Sequence, residues 1–174
     1  MHAFSELIHR STAFSLNALE VAQGSVIDEL QTSAATSLVK ALQMIRLQKA
    51  ISAVGMFSMF DAILQAQLQC ADGFREAAVL QERKGEVVLK ERFSDLQLAV
   101  NVLKHGKGRS YDSLVQKAGS LPFKVKLPGE TFFNEGDVAE VSTLIDVDDA
   151  FVLLCAETIH AVSDSIRSVG ERGA

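Results

Sequence analysis

The sequence predicts an all-α fold, a helical bundle of about five to six helices with a small β-hairpin or irregular arm at about residues 119–147. Only two prolines occur, Pro122 and Pro128, and the long proline-free stretch before them permits long helices. Apolar residues recur at steps of three and four in two segments, as on one face of a helix. Because 48% of the residues are hydrophobic and 22% charged, the chain can bury a core, and residues 1–174 are expected to form a single domain.

The first predicted helix covers residues 4 to 22. Its apolar side chains lie on one side of the helix, at Leu7, Phe14, Ala18 and Val21. Gly24 is expected to break the helix, and residues 25 to 36 leave the local structure open.

A second helix is predicted from Leu38 to about Cys70. Apolar residues occupy every side of it from Met56 to Phe60, which predicts a central helix that is buried all round. Its apolar stretch includes Asp61, and a carboxylate at the centre of a membrane span costs about 3 kcal/mol. We therefore expect a core helix and no membrane association.

Residues 74 to 84 are expected to be helical up to Gly85, and a stronger pattern follows over residues 86 to 105. Its apolar positions step by 4, 3, 4 and 3, at Leu89, Phe93, Leu96, Val100 and Leu103. Gly106 stands where a glycine commonly ends a helix. Residues 110 to 118 predict a short helix with Ser110 as its N-cap.

The arm between the short helix at residues 110 to 118 and the last helix contains two candidate strands, "LPFKVKLP" and "EVSTLIDV". Asp148 or Asp149 then caps a final helix that ends at Gly170. Its apolar residues step by 3, 4, 3, 4 and 3, at Val152, Cys155, Ile159, Val162, Ile166 and Val169. This pattern places Cys155 among apolar neighbours and predicts an inert thiol.

Composition restricts the class of function. The net charge of −5 argues against a protein that coats nucleic acid non-specifically, but it does not exclude a local basic patch. Cys70 and Cys155 form no spaced cluster, so we expect two buried thiols in a reducing cytoplasm. No secretory signal is evident in "MHAFSELIHR".

The usual ligand patterns for metals and nucleotides are missing from the sequence. The histidines show neither H-x-x-x-H nor H-E-x-x-H spacing, and His160 with Asp164 one turn later is typical of a solvated pair. The segment "GKGRS" has the wrong spacing for a phosphate-binding loop, and a helix rather than a strand precedes it. We therefore expect neither a metal nor a cofactor.

The residues that best fit a catalytic pair are Asn101 and His105, which lie one turn apart on one helix face. At the rim of a helix–helix contact, a half-desolvated histidine beside Lys104 and Arg109 suits general acid or base catalysis on a ribose hydroxyl. The simpler alternative is a helix-ending histidine that contacts the last carbonyl groups.

The segments "MFDAILQAQL" and, about forty residues later, "LAVNVLKHG" resemble the HEPN proteins, which are all-α domains associated with nucleotides or RNA. The family marker is Arg, often Asn, three residues and then His, and it commonly serves metal-independent RNA cleavage at a dimer interface. Asn101 and His105 match this marker, whereas Val100 occupies the place of the arginine. The resemblance therefore implies a non-cleaving member, or one that uses another cation such as Arg109 or Lys104.

Three functions follow as hypotheses. The first is a HEPN-like protein, expected to be a homodimer, that binds RNA, a nucleotide or a protein partner through Lys104, Lys107 and Arg109 without efficient catalysis. The second is a metal-independent ribonuclease with His105 as the acid or base, so the sequence leaves enzymatic activity open. The third is a helical assembly module in which the apolar residues of 152 to 169 join two copies.

Overall fold

A computed structural model describes residues 2–130 and 143–170 of the chain. These residues form six α-helices and one short 3-10 helix, Ala118–Ser120, as the sequence predicted for fold class and helix number. The α-helices are α1 His2–Leu30, α2 Thr36–Leu68, α3 Gly73–Arg83, α4 Val87–His105, α5 Arg109–Gln116 and α6 Asp149–Gly170. α1, α2 and α6 pack on one another, and α3 and α4 close the bundle against α2 and α6.

The prediction that Gly24 breaks the first helix is wrong, because α1 continues without interruption to Leu30. A glycine inside a helix costs about 1 kcal/mol relative to alanine, which a helix of 29 residues packed on two neighbours can absorb. The chain then reverses over residues 31–35 into α2. α1 and the first part of α2 thus form a long helical hairpin.

The core contains an aromatic cluster formed by α2, α3 and α4. The ring of Phe93 lies 6.1 Å from those of Phe57 and Phe60 and 5.4 Å from that of Phe74. Phe57, Phe60 and Phe93 are fully buried. The predicted stripe of α4 therefore faces the core, with Phe93, Leu96 and Val100 buried at its centre.

The predicted apolar pattern of α6 is also internal to the chain. Its members from Val152 to Ile166 are at most 7% exposed and belong to the same core cluster. Asp148 caps the helix through a hydrogen bond of 2.8 Å from the Phe151 amide to its Oδ1. Because this apolar pattern lies inside one chain, it cannot also join two copies, and that form of the assembly hypothesis is wrong.

The arm is represented by one antiparallel bridge, between Val125 and Ile145. The Lys126 amide donates to the Leu144 carbonyl at 2.9 Å, and the Asp146 amide donates to the Lys124 carbonyl at 3.0 Å. The two candidate strands thus meet at one point, but no strand forms in the described ranges 2–130 and 143–170. The remainder of the predicted hairpin, residues 131–142, lies outside the described residues.

The prediction that α2 is buried all round is wrong. Met56, Phe57 and Phe60 are buried, but Met59, in the same turn, is 57% exposed. Within the described ranges, α2 is the one helix long and apolar enough to cross a membrane by length and composition, and 28% of its most apolar window is buried. One side of α2 is thus core, and the other exposes Met44, Ile51 and Met59 among polar residues.

Candidate functional site

The predicted catalytic pair lies at the exposed end of α4. The helix ends at His105, and Gly106 follows with a φ of 72°, a conformation that favours glycine. The Gly106 amide donates to the Val102 carbonyl at 2.8 Å, which closes the last turn. Asn101 and His105 lie in the same register on this end of the helix, and both are exposed.

The surroundings of His105 differ from the sequence expectation. We expected a half-desolvated imidazole at a helix–helix rim, but the side chain is exposed to solvent. The residue in the position of the family arginine, Val100, is 4% exposed and packs in the core. Because Asn101 and His105 are both exposed, an acid or base there would act in contact with bulk water.

Lys104, Lys107 and Arg109 surround this turn and are all exposed. Within the described part of the chain, none of these three side chains makes an ion pair. Tyr111 fixes the turn from inside, because its hydroxyl donates to the Lys126 carbonyl at 2.6 Å and the residue is 5% exposed. α5 begins at Arg109 after Gly108, so the prediction that Ser110 is the N-cap is wrong. The turn presents three cations on a fixed backbone.

A polar cluster that the sequence analysis did not connect joins α1 and α6. His160 Nδ1 lies 3.3 Å from Ser5 Oγ, and His160 Nε2 lies 3.5 Å from Asp164 Oδ2. Arg167 also pairs with Asp164, at 3.1 Å. The order of groups is that of a serine–histidine–aspartate triad, but Ser5 is completely buried. Because the Ser5 hydroxyl is buried, a substrate cannot reach it, and the cluster does not act as a catalytic triad. Its contact between Ser5 and His160 links α1 to α6.

Most of the large apolar side chains that are exposed to solvent lie on the outer sides of α1 and α2. Six large apolar side chains there are between 53% and 78% exposed: Leu7, Phe14, Val21, Met44, Ile51 and Met59. We call this set the α1–α2 face. Scattered single apolar residues are normal on protein surfaces, but clustered ones mark interaction sites.

The orientation of α1 makes this face unusual. The apolar side that the sequence identified, including Phe14 at 78% exposure, points away from the core. The side that packs inward carries Leu16, at 7% exposure, together with the polar residues Ser5 and Thr12, at 0% and 6%. Leaving the Phe14 side chain exposed to water, instead of burying it fully, costs about 1.5–3 kcal/mol of stabilisation. The helix is therefore oriented as if a second surface covered its outer side.

A groove of about 220 Å³ separates the two helices on this side. Ser11, Ser15 and Leu19 of α1 form one wall, and Gly55 and Met59 of α2 form part of the other. A Cβ atom added at Gly55 would meet nothing within 4 Å, so the groove is open at that point. Met59 of the α1–α2 face lines this groove, opposite Ser11 and Ser15 of α1.

The comparisons with known proteins leave these surfaces as the basis for assigning a function. Neither a known protein family nor a curated protein or solved structure matches the chain. In the described ranges, no group of three His, Cys, Asp or Glu side chains could hold a metal ion. The two candidate sites are thus the basic α4–α5 turn and the α1–α2 face.

Proposed function

We propose that the chain is a helical interaction module that binds a protein partner through the α1–α2 face. The observation that carries the proposal is the outward orientation of an apolar stripe of α1, in which Leu7, Phe14 and Val21 are 64%, 78% and 68% exposed. Burial of apolar area is the main favourable term in most protein association. A partner that covers this side would remove from water what the chain's own fold leaves exposed.

The face has the form of a helix-binding surface. Its exposed residues lie on two neighbouring helices, and Ser11 and Met59 line the groove between them. Large side chains beside a groove suit the packing of a third helix, in which ridges of one surface enter the grooves of the other. An enzyme or small-molecule site needs converging polar groups, which this groove lacks among its described lining residues apart from hydroxyls.

A photo-reactive amino acid placed at Phe14 tests the proposal in cells that express the protein. We expect a covalent adduct with a protein chain after irradiation, detected by gel shift and mass spectrometry. Val88 is the matched control, since it is 79% exposed but lies on α4, outside the face. If position 14 gives no more protein adduct than position 88, the proposed function is wrong.

A second candidate function is binding of RNA or a nucleotide at the α4–α5 turn, as the HEPN resemblance implies. The supporting observation is that Lys104, Lys107 and Arg109 are exposed together, with no ion pair in the described part of the chain. Each cation that contacts a phosphate releases counterions, so the affinity falls as salt rises. Catalysis by His105, with Arg109 or Lys104 as the charge stabiliser, is the active form of this candidate.

Binding of a fluorescent single-stranded RNA at low salt tests this second candidate. Arg109→Glu and Lys107→Glu should weaken binding and reduce the salt slope by about one each. The matched control is Lys124→Glu, an exposed lysine on the arm. Equal effects of all three substitutions would contradict a specific site. RNA cleavage without metal that is unchanged in His105→Ala would exclude the catalytic form.

A further inference from the structure

We infer that the partner of the α1–α2 face is a second copy of this chain, docked with its α1 antiparallel to the first. This inference rests on the proposed function, since it names the occupant of the same face. It is carried by the pattern of side-chain sizes on α1, by the exposed area and by the distribution of charge.

The outer side of α1 alternates large and small side chains. All six members are exposed and none is ionisable: Leu7, Ser11, Phe14, Ala18, Val21 and Ser25. We call this set the α1 stripe. Its large members recur every seven residues, and a small member follows each large one after four. Such spacing keeps the stripe on one side of a helix.

The α1 stripe is complementary to itself in the antiparallel direction. When two copies of α1 cross near residue 16, each large side chain faces a small one of the other copy. Phe14 then lies opposite Ala18 of the second copy, Leu7 opposite Ser25, and Val21 opposite Ser11. A two-fold axis requires that each such contact occur twice, and this register satisfies that rule for all six positions. In a parallel pairing Phe14 would face Phe14, and the small residues would leave gaps.

The exposed area is sufficient for a stable dimer. An unfolded chain exposes about 1.45 Å² per dalton, or roughly 140–210 Å² for residues from valine to phenylalanine. The six large residues of the α1–α2 face are 53% to 78% exposed. Together they present roughly 700 Å² per copy, about half of it on α2. An interface near the standard size of roughly 800 Å² per partner therefore requires that the second copy cover Met44, Ile51 and Met59 as well as the α1 stripe.

The charges favour a second copy over a lipid surface. No lysine or arginine occurs between Arg10 and Lys40, whereas Glu20, Asp28 and Glu29 lie in this interval. Helices that lie on membranes are usually rich in Lys and Arg on their polar side, which contacts anionic lipids. α1 beyond Arg10 is instead acidic. The acidic residues of α1 would be repelled by anionic lipids. The α1 stripe of a second copy has no charge, so no repulsion arises where the two stripes meet.

Light scattering on the purified chain tests the inference. At about 100 µM, above the micromolar upper end for interfaces of this size, we expect twice the chain mass of 18.8 kDa. Phe14→Glu and Ala18→Glu should each halve this mass, because a carboxylate would be buried without a partner. Val88→Glu, at a site of equal exposure outside the face, should remain dimeric. Circular dichroism should show unchanged helix content in all variants, since none of these side chains is in the core.

Disulfide cross-linking tests the register. With Cys70 replaced by serine, chains that carry Phe14→Cys are mixed with chains that carry Ala18→Cys. The antiparallel register predicts that the mixture cross-links at least several-fold faster than either variant alone. Fastest cross-linking of Phe14→Cys with itself would show a parallel pairing and overturn the register.

The failure of this inference is distinguishable from that of the proposed function. A monomeric wild-type chain, or a dimer that survives both glutamate substitutions, overturns self-docking. If the monomer instead co-sediments with neutral phosphatidylcholine vesicles and Phe14→Glu does not, the face binds lipid, which also overturns it. Protein adducts at position 14 that contain only other chains overturn the second copy as occupant but retain the interaction module. The absence of any adduct removes both.

Discussion

Replacement of Gly73 by alanine gives the sharpest test of the packing between α2 and α3. Gly73 is the first residue of α3, directly after its N-cap Asp72, which accepts a hydrogen bond of 3.0 Å from the Arg75 amide. A Cβ atom at Gly73 would lie 2.6 Å from Leu64 Cβ, 2.9 Å from the Asp61 carbonyl oxygen and 2.9 Å from the Gln65 amide nitrogen. Two of these three atoms belong to the backbone of α2 and cannot rotate away.

The sign of the effect follows from two opposing contributions. Helix propensity favours alanine over glycine by about 0.5–1 kcal/mol. Overpacking of a filled site costs typically about 1–3 kcal/mol, because backbones must shift. Since the three contacts are all below 3.0 Å, we expect the overpacking to dominate. The free energy of unfolding should fall by about 1–2 kcal/mol.

Urea unfolding followed by circular dichroism measures this change, with Gly24→Ala as the matched control. Gly24 lies inside α1, where an added Cβ atom meets nothing within 4 Å. That substitution should therefore raise the free energy of unfolding by about 0.5–1 kcal/mol. If Gly73→Ala is as stable as the wild type or more stable, the close approach of α3 to α2 is refuted.

Three further outcomes are expected. Phe93→Ala should lower the free energy of unfolding by about 3–5 kcal/mol in urea titration, since Phe93 is fully buried within the aromatic cluster; a loss below about 1 kcal/mol would contradict that packing. A thiol reagent at pH 8 should modify half-buried Cys70 but reach Cys155 only after unfolding, because burial raises the pKa of the Cys155 thiol far above its usual range; fast reaction of both thiols in the native chain would refute the burial. Burial and the charge of Asp148 raise the pKa of Asp146 above its ordinary value of 3.8. The folded chain therefore holds this proton more tightly than the unfolded chain does, and it loses stability as the pH rises from 3.8 through the raised pKa. Asp146→Asn should therefore raise the free energy of unfolding relative to the wild type at pH 7 but not at about pH 3, where both side chains are uncharged. A stabilisation that persists at pH 3 would contradict this cause.

The candidate sites were predictable to different degrees. Asn101, His105 and the three cations were located by their place at a helix end, and all five are exposed in the structure. Spacing along a helix fixes which residues share a side, but it does not fix what packs on that side. The expected half-burial of His105 was wrong for this reason: α5 packs against α4 next to this turn and Val102 is buried, but the side of the helix that carries His105 faces solvent.

The α1–α2 face was not predicted, although part of its pattern was recognised. The sequence analysis placed Leu7, Phe14, Ala18 and Val21 on one side of the first helix. Such a pattern normally marks the side that packs on the core. The same ambiguity affected α2, where the crowding of apolar residues around Met59 predicted burial on all sides. In α1 the residues were assigned to one side correctly but that side proved to be exposed, and in α2 the prediction of burial on every side was wrong.

The sequence by itself determined the helices, since periodicity, glycine and capping residues act over a few neighbours along the chain. The all-α class, the inward stripe of α4 and the burial of Cys155 follow from such local patterns. The tertiary structure decided which side of α1 faces the core and joined Ser5 to His160, which are distant in sequence. The physical reason is that apolar burial is non-directional: it drives a stripe out of water but does not specify the surface that covers it. In α1 the remaining helices cover the side of Ser5, Thr12 and Leu16, and the stripe of Leu7, Phe14 and Val21 stays exposed.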